Sequence, residues 1–496
     1  MKLKTALEHM KAAASQLNPA LHDVEIGSIV IDSREVRAGD VFFALSQPEY
    51  AKNGFNGDFE DATKFVAQSF ENGAVACVVR HDRFEEYRSE LEKYGDRLVF
   101  VDDSIKALQN LAHGVYLAWN KPVVAITGSA GKTTAKELTA HVLEASGRKI
   151  LRNIKNYNNG LGLPLTVLNL AKDDSYDTAV LEMGMSTPMN EIQRLCSITP
   201  PDVAVVLNVL PVHVEHLGSI ENVAKAKAEI VEGMKESGTA VLNADDPRVI
   251  AMRDLAEGEV LTFGIGAQAD VRAENIAFPR FGETRFDLVT RDGKAAVKFP
   301  LNGKHNILNA LAASAVGSSF GMNVEGIAFA LESAAPPPQR GEVLHFASGF
   351  TVVNDSYNSN PAALLSMIGT LVAGGASAKR KIVIAGEMLE LGKDEKDIHR
   401  KLGEKIAGMG IDKLIGVRGL AGELVAGARH AGLADAEFAK DSDAASDLLL
   451  DQVREDDLIL VKGSRGVRTE RVIERLLEKF KLEDNESAAP GRKREP

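Results

Sequence analysis

The sequence predicts an α/β protein of three domains, and three observations carry that expectation. The chain has 496 residues, roughly three times a domain of ~150. Short apolar runs alternate with helix-patterned stretches along most of it, the mark of a mostly parallel sheet. The run Ala334-Ala335-Pro336-Pro337-Pro338-Gln339 breaks that alternation, because consecutive prolines cannot continue a helix. The expected boundaries are 1–118, 119–335 and 336–482. A polar tail over 483–496 is expected to be disordered.

The first domain reads as mixed α/β. Val41–Leu45 is a strand after the turn Ala38-Gly39-Asp40. Phe65–Asn72 has helical spacing, stops at Gly73 and leads into a strand over Ala74–Val79. The central domain opens at Lys121-Pro122 with a strand, Val123–Ile126, a small polar loop, Thr127–Gly131, and a helix, Thr133–Ser146. Strands follow at Thr178–Met183, Val203–Leu207 and Thr239–Asn243. From Val271 to Leu301 the pattern shortens to alternating strands with a hairpin signal at Asp292-Gly293, so this stretch is a β-insertion or a sheet extension. A helix is expected over Asn306–Phe320. The third domain alternates again, with strands at Phe350–Asn354, Lys381–Ala385, Lys413–Val417 and Leu458–Lys462. It is Rossmann-like but has no G-x-G-x-x-G.

Composition narrows the classes. Lys and Arg number 58 against 70 Asp and Glu, a net charge of −12. An acidic chain is a poor general binder of nucleic acid or anionic membrane, so any anionic ligand needs a local site. Two cysteines, Cys77 and Cys196, are too few for a disulfide framework and fit a reducing compartment. Glu8 and Lys11 interrupt the apolar stretch that a signal peptide would need. The uncharged stretches Ala362–Ala378 and Ile307–Val324 contain Gly and Ser and read as buried helices. A cytoplasmic protein with no membrane insertion is the expectation.

The strongest local signal is Thr127-Gly128-Ser129-Ala130-Gly131-Lys132-Thr133-Thr134, placed between a strand and a helix. Glycines let backbone N–H groups converge on phosphate oxygens, the helix start adds partial positive charge, and Lys132 adds a full one. Thr133 stands where such a loop holds Mg²⁺ with a hydroxyl. Ile126 occupies the position where the full phosphate-loop pattern has glycine. The bland alternative is a glycine-rich turn.

Other candidates gather at strand ends, where parallel sheets place ligands. Glu182 closes one strand and His213 follows another. Together they can hold Mg²⁺ on phosphates, and alone each reads as a surface polar group. Lys227 lies in the helix-like run Glu221–Glu232 and by spacing is an ordinary solvated lysine. Asn156-Tyr157-Asn158-Asn159-Gly160 suits recognition of a polar substrate, or is a plain loop. Asp355-Ser356-Tyr357-Asn358-Ser359-Asn360-Pro361 suits a nucleoside, or is an Asx-rich helix start.

Taken together these blocks resemble the Mur ligases, the ATP-dependent amide ligases of peptidoglycan precursor synthesis. The matching residues are Asp32-Ser33-Arg34, Gly39-Asp40, Phe42-Phe43-Ala44-Leu45, the TGSAGKTT loop, Glu182-Met183-Gly184, His213 and Ala224-Lys225-Ala226-Lys227. Gly303-Lys304-His305-Asn306 with Asn309, and Lys462-Gly463-Ser464-Arg465, follow in the same order as in the family. The blocks at 156–164 and 355–361, and Gly386–Gly392 with His399, resemble the member whose incoming amine is D-Ala-D-Ala. The sequence departs from the family in the longer stretch Ser46–Lys64, and in Asn354 and Glu387 where the family often has Asp.

The resemblance implies a first domain for the UDP-MurNAc-peptide, a central ATP-binding domain and a C-terminal ligase domain. It implies ATP and Mg²⁺ as cofactors, UDP-MurNAc-tripeptide and D-Ala-D-Ala as substrates, and a monomer without nucleic-acid partners. Lys132 with Gly128, Ser129, Ala130, Gly131 and Thr134 would hold phosphates, and Thr133 and Glu182 the first Mg²⁺. His213 would help hold a second. Lys227, fourteen residues on, would be carbamylated and so turned from a cation into an anion that positions metal. His305, Asn306 and Asn309 would meet adenine, and Arg340, Asp355, Tyr357 and Asn358 would approach the nucleotide from the third domain, which would close on ATP. Ser33 and Arg34 would serve the UDP-sugar site, and Asn158 and Asn159 the muropeptide path. Lys462 and Arg465 would take the carboxylate of the dipeptide, or form a basic strand end that fixes a loop. Rival readings are a folylpolyglutamate or cyanophycin synthetase, a P-loop kinase that stops at phosphoryl transfer, and a non-catalytic muropeptide binder.

Overall fold

The computed structural model describes the chain except residues 13–16, 47–49, 51–54, 56–59, 155, 186–189, 211–217, 267, 336–338, 390, 393 and 484–496. His213, the three prolines of the expected linker, the expected disordered tail and most of the Ser46–Lys64 stretch therefore lie outside the described residues.

Among the described residues three sheets organise the protein. The first holds β1 (Ile29–Val30), β2 (Val41–Phe43), β3 (Ala76–Arg80) and β4 (Leu98–Val101) in that order, all parallel. Its strands are near-continuous apolar runs because both faces are covered. One face packs against Leu3, Leu7 and the helix Ser104–Trp119, the other against Val66, Phe70 and Leu91.

The second sheet contains β5 (Val123–Thr127), β6 (Ile150–Arg152), β7 (Thr178–Glu182), β8 (Val203–Val206), β9 (Thr239–Asn243) and β10 (Glu259–Gly264). Three longer strands continue it: β11 (Val271–Arg280), β12 (Glu283–Thr290) and β13 (Gly293–Phe299). Its order is β13-β12-β11-β10-β9-β8-β5-β7-β6. The stretch from Val271 is therefore a sheet extension, and its last turn falls at the Asp292-Gly293 hairpin signal. From β6 to β11 the pairing is parallel. β5 sits centrally and is fully buried, which brings its carboxyl end beside those of β7 and β8.

The third sheet runs β14 (Glu342–His345), β15 (Thr351–Asp355), β19 (Asp457–Lys462), β16 (Arg380–Gly386), β17 (Lys413–Val417) and β18 (Ala436–Ala439). Only the β14–β15 edge pair is antiparallel. The topological switch lies around β15, β19 and β16, the place where open α/β sheets bind ligands.

By compactness the chain divides into two units. One comprises residues 1–274, 288–295 and 308–330, and the other residues 275–287, 296–307 and 331–496. Among the described residues, no helix is long and apolar enough to cross a membrane.

Candidate active site

The phosphate loop is built by the passage from β5 into the helix Lys132–Ala145. Gly131 makes the turn at φ +84°, and a Cβ there would stand 2.6 Å from Asn309 Oδ1. Only glycine meets both conditions. The helix's first-turn amides then face outward without carbonyl partners inside the helix. Lys132 folds back so that its Nζ donates to the Gly128 carbonyl at 3.0 Å. Burial lowers its pKa from the usual lysine value.

Glu182 ends β7, in register beside Ile126 of β5. It is 4% exposed, and both carboxylate oxygens are engaged. The Thr133 hydroxyl donates to Oε2 at 2.8 Å and Asn158 Nδ2 donates to Oε1 at 2.7 Å. Buried Asn153 pins the backbone of the same residue: its Oδ1 accepts from the Glu182 N–H and its Nδ2 donates to the Glu182 carbonyl. The structure thus joins a phosphate-loop hydroxyl, an acid and an amide of the Asn-rich loop at one point. Asn159 does a different job: its Oδ1 accepts from Leu161 and Gly162 N–H and caps the turn into the helix Gly162–Val167.

Lys227 corrects the reading that spacing alone suggests. The helix Ile220–Glu232 is capped by Ser219 and packs Val223, Ile230 and Val231 inward. Lys227 falls on that buried face and is 2% exposed. It makes no hydrogen bond to the described residues. Burial, and then the Lys132 cation, pull its pKa down to about 7. A buried lysine that is partly neutral at physiological pH is unlike a solvated one.

A second constellation stands at the carboxyl edge of the third sheet. Asp355 and Lys462 end neighbouring strands in register. Lys462 Nζ donates to Asp355 Oδ2 at 2.6 Å and to the Asn358 carbonyl at 2.8 Å. Burial raises the Asp355 pKa against the opposing pull of Lys462 and Arg340. The Arg340 guanidinium lies 4.2 Å over the Tyr357 ring, a cation–π contact. Arg465 lies 5.9 Å from the same ring and donates to Gln339 Oε1 at 2.9 Å. Of the two residues expected at the dipeptide carboxylate, Lys462 is 4% exposed and already paired, whereas Arg465 keeps an exposed head.

The remaining candidates are placed as follows. Asn309 is buried beside Gly131. Asn306 Nδ2 donates to the Asn302 carbonyl at 2.8 Å. His305 is lowered in pKa by burial. Ser33 is buried at the start of a 3₁₀ turn capped by Asp32, and Arg34 pairs back onto Asp32 at 2.6 Å with its side chain 85% exposed. Sequence reading missed Asn153 and Asn208, which brace Glu182 and the phosphate loop. Both follow strand ends, beside the level at which Glu182 closes β7, and that position is the available signal.

The donor set suits a hard divalent cation in part. Among the described residues there is no cluster of three or more His, Cys, Asp or Glu. The Thr133–Glu182 pair offers two hard oxygens, and Mg²⁺ characteristically takes a few protein oxygens and fills its shell with phosphate and water.

Comparison with known proteins gives the family. Residues 126–317 match the Mur ligase middle domain, and residues 339–465 match the Mur ligase, glutamate ligase domain. The UDP-N-acetylmuramoyl-tripeptide--D-alanyl-D-alanine ligase of Bacillus subtilis is 32% identical over 469 residues, covering 93% of this chain and 95% of that one. A crystal structure of MurF from Acinetobacter baumannii superposes with a TM-score of 0.81 at 26% identity, covering 96% of this chain and 98% of that one. The MurF ligase from Thermotoga maritima in complex with ADP superposes with a TM-score of 0.73 at 29% identity, covering 91% and 97%. The chain belongs to the Mur ligase family, among its UDP-N-acetylmuramoyl-tripeptide--D-alanyl-D-alanine ligases.

Proposed function

We propose that this chain is the ATP-dependent amide ligase that joins D-Ala-D-Ala to UDP-MurNAc-tripeptide, giving UDP-MurNAc-pentapeptide, ADP and phosphate. Its setting is the cytoplasm and its working unit a monomer. Residues 1–118 bind the UDP-MurNAc-peptide, 119–335 hold ATP, and 336–482 complete the ligase. The observation that carries the reading is the junction of Thr133, Glu182 and Asn158 beside Lys132. In this reading a loop hydroxyl that serves phosphate and an amide that serves the peptide arm share one buried carboxylate. A kinase that stops at phosphoryl transfer to a solvent-side acceptor has no need of that link.

The chemical difficulty is electrostatic, since a carboxylate must attack a polyphosphate. Lys132, the Gly131 amide and the first-turn amides at 132–134 hold the phosphates and supply fixed positive charge at the point of transfer. A carboxylate oxygen of the tripeptide attacks the γ-phosphorus, the bond to ADP breaks, and an acyl phosphate forms. The amine of D-Ala-D-Ala then attacks the carbonyl carbon and loses a proton. The tetrahedral intermediate expels phosphate, which leaves with the former carboxylate oxygen. Thr133 and Glu182 would hold Mg²⁺, with His213 and carbamylated Lys227 adding to the set, and the bound ion would supply positive charge between the facing anions. The neutral Lys227 amine is the form that adds to CO₂, losing a proton to become the carbamate. Arg340, Asp355, Tyr357 and Asn358 serve the nucleotide, and Arg465 the dipeptide carboxylate. Ser33 and Arg34 serve the UDP-sugar, and Asn158 the peptide arm.

Oxygen labelling tests the acyl phosphate. With ¹⁸O in the terminal carboxylate of the tripeptide, one labelled oxygen is expected in each released phosphate. Unlabelled phosphate would overturn the mechanism.

A further inference from the structure

The phosphate loop does not hold its shape alone. Asn208, two residues past the end of β8, forms a two-point pairing with Ala130: its Oδ1 accepts from the Ala130 N–H at 2.9 Å, and its Nδ2 donates to the Ala130 carbonyl at 3.1 Å. The Asn208 carbonyl accepts from the Ser129 N–H at 3.1 Å. One step on, the Leu210 N–H donates to Ser129 Oγ at 2.9 Å, and that hydroxyl donates to the Leu210 carbonyl at 3.2 Å. The loop tip is therefore laid along residues 208–210 as one strand lies along another.

This has a consequence for which amides meet phosphate. The N–H groups of Ser129 and Ala130 already have partners. Those at 132–134 belong to the helix's first turn and have no carbonyl inside the helix to accept them. A glycine-rich loop is mobile by composition, and its amides converge only when something fixes the backbone ahead of them. The Asn208 amide is suited to that task because it offers an acceptor and a donor side by side. Aspartate would keep the acceptor, lose the donor and add charge beside the phosphates. Alanine would lose both.

We propose that Asn208 is a positioning residue for nucleotide binding: it locks the 129–130 backbone through both edges of its amide, so that the amides at 131–134 are preset for the ATP phosphates. The inference rests on the reading of this loop as the ATP site.

The test measures ADP binding by calorimetry, together with KM for ATP and for UDP-MurNAc-tripeptide, in wild type, N208A and N208D. N208A is expected to weaken ADP and raise KM for ATP by about tenfold, the scale of two lost hydrogen bonds, with KM for the tripeptide nucleotide within about twofold. N208D is expected to bind ADP more weakly than N208A whatever the order of their melting temperatures, because its charge faces the phosphates. ADP affinity of N208A within about twofold of wild type overturns the inference. So does an equal loss for both substrates, or an ADP order that follows melting temperature alone. Wild type that binds no ADP overturns this inference and the functional reading together. On the unmutated protein, hydrogen exchange at residues 129–130 is expected to be slow without ligand, with ADP adding protection at 131–134. Fast exchange at 129–130 without ligand overturns the inference even where no variant folds.

Discussion

A lysine buried next to a second cation must be compensated by something else in the protein. Lys227 is 2% exposed, and its folded-state pKa lies near 7 against 10.5 unfolded. Between those values the unfolded chain binds a proton that the folded chain lacks, so stability rises with pH across that window. The penalty is fully present below about pH 7 and fades toward pH 10.5. In CO₂-free buffer K227M is expected to be more stable than wild type by roughly 2–4 kcal/mol at pH 6.5, converging by pH 10, when followed by chemical denaturation. Bicarbonate should then stabilise wild type and leave K227M unchanged, since a group that adds only to the folded state shifts the balance by mass action. Equal curves for both proteins at all pH values would contradict the burial argument. Residues of this site differ in how openly they announce themselves. Lys132 and Thr133 are legible because a phosphate needs glycine, lysine and hydroxyl at fixed spacing. Glu182 is legible only as a strand-end acid. Lys227 has no local signal, since burial depends on which face of its helix meets the core, and only the family resemblance marked it. Lys462 looked like an available cation, and the neighbouring strand that pairs it with Asp355 is invisible without the fold.

The link between β5 and the helix Lys132–Ala145 is the element on which the site turns. It depends on Gly131, whose backbone is left-handed and whose missing Cβ leaves room for Asn309. Alanine there costs ~1–2 kcal/mol from the backbone and displaces the Asn309 amide. G131A is expected to raise KM for ATP by about tenfold or more and to lower the melting temperature by a few degrees. G95A, where a Cβ would meet nothing within 4 Å, should change neither. Unaltered ATP kinetics in G131A would show that the turn does not set the loop. Among the elements, the strands at Thr239–Asn243 and Lys413–Val417 lie on the residues the apolar runs indicate. β5 runs one residue further, to Thr127. Ile150–Arg152 escaped notice because three residues establish no alternation. The helix Ser104–Trp119 is amphipathic, with Lys106, Asn110 and His113 on its less buried face opposite Leu108, Leu111 and Val115, a period the reading of the first domain did not use.

At the scale of the whole molecule, fold class was readable and residue pairing was not. Alternating strands and helices imply parallel sheets, and three sheets with parallel cores are what the chain forms. The order of strands, with β5 between β7 and β8, decides that Glu182 and Asn208 flank the phosphate loop, and sequence carries no record of that order. In the ligase proposed above, ATP cleavage is tied to peptide-bond formation. The most direct test is to incubate the protein with ATP and Mg²⁺, following phosphate release and the mass of the nucleotide product, with the tripeptide nucleotide and D-Ala-D-Ala present together or singly. UDP-MurNAc-pentapeptide is expected in a one-to-one ratio with phosphate, and phosphate release near background when either substrate is left out. Phosphate released at the same rate without them, and no pentapeptide nucleotide formed, would contradict the proposal.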